Sequence, residues 1–196
     1  MTRRWRWVVP AIVFVTMAVL AGRDALAQPP LPLRLTAFAV NMSNVGRGGA
    51  AGTIDFTVDR WSTAGERDKL LSTFLERGPE KLLDALQDAK PVGRILAPAK
   101  VGWDLRYASY QALPEGGSQL TLLTDRPVDF LEARNQPRTM DYPFTLIEIR
   151  LKPDGTGEGK ASIATKITYN KKTKTVELEN YASEPLRLNN VKIEKR

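Results

Sequence analysis

The sequence predicts an α+β protein: mainly an antiparallel β-sheet of about eight or nine strands, forming a barrel or sandwich, with one inserted helical hairpin. Three observations predict it. Short apolar-alternating segments recur along most of the chain, separated by Pro, Gly, Asp and Asn turns. One stretch, at about residues 63–89, switches to helical spacing. The 196 residues, 42% apolar and 26% charged, suit a globular chain rather than a disordered or polytopic one.

Residues 1–27 predict a cleaved signal peptide. Arg3, Arg4 and Arg6 precede an apolar run from Val8 to Gly22, and Ala25-Leu26-Ala27 supplies the small-residue cleavage site. The run is too short to cross a bilayer, so no transmembrane span is expected in the mature protein. Periplasmic or secreted localisation follows. The full chain has a formal charge of +7. The leader's four arginines against Asp24 hold three of those charges, and the four that remain are scattered. That pattern argues against a nucleic-acid partner. Residues 28–196 then form the β-rich domain.

Leu33 to Asn41 reads as the first strand. Thr53 to Asp59 is the second, with Ile54, Phe56 and Val58 pointing one way and Asp55, Thr57 and Asp59 the other. Between them, Gly46 to Gly52 is glycine-rich but leads into a strand and lacks Gly-Lys-Ser/Thr, so it reads as a hairpin connection rather than a phosphate loop. Thr63 and Glu66 make a capping box, and Leu70, Leu71, Phe74 and Leu75 continue at helical spacing to Arg77. Gly78 stops that helix, Pro79 starts the next, and Leu82, Leu83 and Leu86 form its stripe.

Strand patterns then return at Val92 to Leu96, Trp103 to Ala112, Gln119 to Thr124, Phe144 to Leu151, Lys160 to Asn170, Thr175 to Tyr181 and Leu186 to Glu194. In the Trp103 strand, strict alternation groups Trp103, Leu105 and Tyr107 on the core face and Arg106, Ala108 and Tyr110 on the other. The clearest hairpin runs from Thr145 to Tyr169, turning at Pro153 to Gly157 and matching Ile147, Ile149 and Leu151 against a continuous face from Ala161 to Tyr169.

The chain has no histidine and no cysteine. That inventory removes disulfides, thiolate and Ser-His chemistry and the usual zinc sites, and neither cofactor nor metal is expected. The candidate ligand-binding residues are Trp61, Arg126, Arg134, Asn135, Arg138 and Tyr142. Five of them lie in Asp125 to Pro143, the longest irregular segment, where guanidinium forks and amides suit a carboxylate, phosphate or sulfate. The alternative is a set of local ion pairs, Arg126 with Asp125 or Asp129 and Arg138 with Asp141. Trp61 lies where a strand gives way to the first helix. Lys171, Lys172 and Lys174 sit at a turn and read as a solvated edge.

The run from Arg134 to Thr145, with Asp59-Arg60-Trp61-Ser62 and Glu179-Asn180-Tyr181, resembles a family of uncharacterised exported bacterial proteins. The resemblance implies an exported domain and supplies no activity. The expected function is therefore non-catalytic: an exported binding or envelope-associated protein for a small anionic or amphipathic ligand or an envelope component. The alternative is a carboxylate-dependent hydrolase acting on envelope glycans, which requires two acids facing across a cleft. Asp55 with Asp59 and Glu177 with Glu179 are acids that alternation places on shared faces.

Overall fold

Strict alternation of apolar and polar residues buries every second side chain along β1 (Leu33–Asn41) and β2 (Ala51–Val58), where Leu33, Leu35, Ala37, Ala39, Ile54, Phe56 and Val58 all face the core. In the computed structural model these strands belong to a closed antiparallel barrel. The structure describes residues 28–41, 51–98, 102–126, 128, 144–163, 166–170, 175–179 and 186–194. The predicted signal peptide lies outside them, as do residues 42–50.

The chain continues through α1 (Ala64–Arg77), α2 (Pro79–Asp88), β3 (Gly93–Leu96), β4 (Trp103–Ala112), β5 (Ser118–Thr124), β6 (Thr145–Leu151), β7 (Thr156–Ile163), β8 (Lys166–Asn170), β9 (Thr175–Glu179) and β10 (Leu186–Ile193). Eight strands close in the order β1-β10-β7-β6-β5-β4-β3-β2, each antiparallel to its neighbours, while β8 and β9 form a separate two-stranded sheet. The expected α+β class is present, with a barrel as its sheet. The tight turns 113–117 and 152–155 join β4 to β5 and β6 to β7 as antiparallel neighbours.

All eight strands contribute to one apolar cluster inside the barrel, including Phe56, Ile95, Leu105, Leu120, Leu122, Ile147, Ile149 and Leu188. An eight-stranded barrel is just wide enough for side chains to fill it. Each fully buried Leu or Ile contributes about 1.5–3 kcal/mol. Room is made by small residues on β7. A Cβ on Gly157 would run into the carbonyl of Arg150 on β6, so only glycine permits that close approach.

The outer face is the reverse. Arg34, Arg94, Arg150, Glu158, Lys160, Arg187 and Lys192 all point to solvent from the strands. A membrane barrel carries an apolar belt outside and polar groups inside, and these strands have the opposite pattern. Among the described residues no helix is long and apolar enough to cross a membrane.

The helical hairpin forms as expected. Thr63 Oγ1 accepts from the Glu66 backbone N–H, and the Glu66 carboxylate accepts from the Thr63 backbone N–H, completing the capping box. Gly78, at φ +86°, ends α1, and Pro79 opens α2. Leu70, Phe74, Leu82 and Leu86 pack on Phe144, Tyr107 and Leu123, which face outward from the strands β4 to β6.

Two expectations fail here. Tyr107 does not share the core face with Trp103 and Leu105. A β-bulge between Leu105 and Tyr107 inserts Arg106 as an extra residue, so beyond it Ala108 and Tyr110 turn inward and Tyr107 turns out beneath the helices. Nor is Lys160 to Asn170 one strand. The pairing of β7 with β6 ends at Ile163 opposite Thr145, and residues 166–170 pair with β9 instead.

Candidate binding site

The barrel has two chemically different ends. At the terminal end lie the start of β1, the close of β10 and the tight turns 113–117 and 152–155. At the loop end lie the close of β1, β5 and β7 and the start of β2, β6 and β10, whereas the connection that carries the helical hairpin, 59–92, leaves β2 and returns to β3 at the terminal end.

Trp61 belongs to the terminal end. β3 is only four residues long against ten for β4, so the upper half of β4 has no strand beside it on that side. The segment after β2 takes the place. Asp59 N–H donates to the Val92 carbonyl at 2.9 Å, Val92 N–H to Leu105 at 2.8 Å, and Ser62 N–H to Ala108 at 2.8 Å, while Ala108 N–H returns a bond to Ser62 Oγ at 3.1 Å. This lays Trp61 on the end of the core. It meets Tyr110 with ring centroids 5.8 Å apart and planes tilted by 51°, an attractive offset geometry. Leu31 and Ile193 are likewise partly buried against the core cluster.

The residues flanking Trp61 are held rigidly. Arg60 forks onto both carboxylate oxygens of Glu66, at 3.0 and 2.9 Å, and Glu66 is itself the capping-box acid. The Arg60 guanidinium, with the Thr63 backbone N–H, holds the Glu66 carboxyl well below its usual range, at about 2. The indole Nε1 of Trp61 is buried and, among the described residues, has no hydrogen-bond acceptor. A native interior leaves few donors in that condition, and each costs about 1–3 kcal/mol.

Arg126 belongs to the loop end. It is exposed, and its guanidinium donates at 2.9 Å to the carbonyl of Gly102, just before β4. Gly102 and Tyr110 are eight residues apart, about 25 Å along an extended strand. Trp61 and Arg126 are thus not brought together. Arg126 also does not take the expected Asp125 partner. Asp125 instead pairs with the bulge residue Arg106 at 2.8 Å, and Arg106 donates to the Ala89 carbonyl at 2.9 Å, which fastens the end of α2 to the barrel. Arg134, Asn135, Arg138 and Tyr142, together with the expected Arg138–Asp141 pair, lie outside the described residues.

The base of that loop is clamped by two threonines buried inside the barrel. Thr124 Oγ1 donates to the Arg126 carbonyl at 2.7 Å and accepts from Thr145 N–H at 2.9 Å, while Thr145 Oγ1 accepts from Val128 N–H at 3.1 Å. Val128 is thereby drawn into the core cluster. The buried polar side chains among the described residues are Asn41, Ser118, Thr124 and Thr145, none of them an acid. Asp55 faces outward on β2, and Asp59 is exposed beyond its end.

Sequence reasoning singled out Trp61 as a candidate and placed Tyr110 on the wrong face. A signal existed. Strict alternation would put Arg106 in one row with Ala108 and Tyr110, and a bulge at Arg106 removes that conflict. Comparison of the chain with protein-family models, curated proteins and solved structures finds no match.

Proposed function

We propose that this chain is an exported, non-catalytic binding protein, taking a small amphipathic molecule or the apolar group of an envelope component at the terminal end of its barrel. The partly exposed Trp61 ring, packed against Tyr110 at the end of the core, carries this reading. An aromatic pair offers apolar area to the apolar part of such a ligand. Because side chains fill the barrel interior, the ligand sits on the rim at Trp61 and Tyr110. The Arg60–Glu66 fork pre-orients that rim, which lowers the ordering cost of binding. Export rests on the leader pattern of residues 1–27.

Native mass spectrometry of the protein purified from the exported fraction tests the proposal. A small bound mass is expected, absent from a Trp61→Phe variant and retained in Arg138→Ala. A ligand lost in Arg138→Ala and kept in Trp61→Phe would move the site to the loop end. A protein that carries and takes up no small molecule overturns the reading.

A further inference from the structure

The helical hairpin is inserted between β2 and β3, yet those two strands pair directly, from Asp55 opposite Leu96 to Val58 opposite Gly93. Closure of the barrel therefore makes no use of residues 64–88. The packing divides in the same way. Side chains inside the barrel form one cluster, whereas Leu70, Phe74, Leu82 and Leu86 of the hairpin belong to a second cluster outside it, with Phe144, Tyr107 and Leu123. Among the described residues, none belongs to both clusters.

Both roots of the hairpin are fixed to one short stretch of β4. At the first, Ser62 N–H donates to the Ala108 carbonyl at 2.8 Å and Ser62 Oγ accepts from Ala108 N–H at 3.1 Å. At the second, Arg106 donates to the Ala89 carbonyl and Val92 N–H to the Leu105 carbonyl. Arg60 joins the two roots, donating at 3.4 Å to the Lys90 carbonyl while it holds Glu66. The chain between these points can leave the barrel surface without parting β2 from β3. What holds it down is four buried apolar side chains of its own, against twenty-three buried residues in the barrel core. Apolar burial dominates the free energy of opening, so the hairpin opens at much lower cost than the barrel. Its helices, of 14 and 10 residues, are at or below the length of about 12–15 at which isolated helices become marginal in water. Each is stable only on the other and on the strands, so the two leave together.

We propose that residues 64–88 are a flap: the two helices open as one cooperative unit between the fixed roots at Ser62 and Ala89, while the eight-stranded barrel stays closed. The open form uncovers Tyr107, Leu123 and Phe144, apolar side chains on the outside of the barrel against which the closed hairpin packs. The proposal is independent of any ligand at the terminal end.

Native-state hydrogen exchange of the whole protein, followed through low concentrations of guanidinium chloride, tests it. The protected amides of α1 and α2 are expected to share one opening free energy, with protection about a hundredfold or more below that of the barrel strands and a shallower denaturant slope. Leu188→Ala, inside the barrel on β10, then separates a flap from a weak corner of a single unit. It is expected to lower the protection of the barrel strands by about thirtyfold or more and to leave the helix amides unchanged, because their opening does not unfold the barrel. Val191→Ala on the same strand takes its place if that variant does not fold. Helix amides that exchange together with the barrel, or that lose protection in the β10 variant, overturn the proposal. So do α1 and α2 amides that open with separate free energies, since the hairpin would then fray helix by helix.

Discussion

The two ends of the barrel are closed by opposite means. At the loop end, two buried threonine hydroxyls satisfy the backbone on both sides of a long connection and draw Val128 into the core. At the terminal end, an aromatic pair lies across the core, and among the described residues its indole donor meets no acceptor. The first arrangement is complete in itself. The second is stable only because its surroundings, the Arg60–Glu66 fork and the strand-like segment 59–62, over-determine the position of Trp61.

Substitutions at the two ends sharpen that contrast. Thr124→Val is expected to have the largest effect on stability. It strips the acceptor from Thr145 N–H inside the barrel, at a loss of about 3 kcal/mol, read as a lower denaturant midpoint with an unchanged slope. A loss below about 1 kcal/mol would mean that the loop base relaxes and the clamp is incidental. Arg106→Ala follows, at about 2 kcal/mol, because it leaves Asp125 without its cation and the Ala89 carbonyl without its donor. Hydrogen exchange should show α2 loosening while the barrel strands stay protected.

Glu66→Gln is smaller, about 1 kcal/mol at neutral pH, since the Arg60 pair is more than a third exposed and screened by water. Its pH dependence is specific. The folded carboxyl titrates at about 2, below its ordinary 4.5, so its contribution is present above pH 4.5 and disappears as the pH falls toward 2. The stability gap between the two proteins should therefore narrow over that interval, and a constant gap would show that Glu66 acts only through packing.

Trp61→Phe should change stability least. It removes an unsatisfied donor together with part of a ring, two effects of opposite sign that leave the melting temperature nearly unchanged. Ligand affinity should nonetheless fall about tenfold by titration. A protein that is strongly destabilised but binds normally would make the terminal end as structural as the loop end.

Local signals made much of this architecture legible. The Thr63–Glu66 spacing, Gly78 and Pro79 delimited both helices because caps and stops act through neighbouring backbone groups. The alternation at Ile54, Phe56 and Val58 gave the inward face of β2 correctly. What escaped depended on partners distant in sequence. The bulge at Arg106 is fixed by Asp125 and by the carbonyl of Ala89, and it reversed the faces of Tyr107 and Tyr110. The division between β7 and β8 depends on where β6 runs out of residues, at Thr145. Of the candidate site, Trp61 was visible as an aromatic at a strand-to-helix junction. Its companion Tyr110 was not, because the gap that Trp61 fills exists only when β3 is shorter than β4.

The seam that closes the barrel joins the first strand to the last, with Leu35 opposite Ile193 and Asn41 opposite Leu186. A chain made from its N-terminus onward cannot form this seam until β10 has been synthesised. Until then β1 has β2 on one side and an open edge on the other. The entropy of joining two segments some 150 residues apart falls on this single step, which places the fold among slow, high-contact-order topologies. A chain cut before Leu186 would keep its interior pattern but have two raw edges, and its characteristic failure would be intermolecular sheet growth rather than simple unfolding.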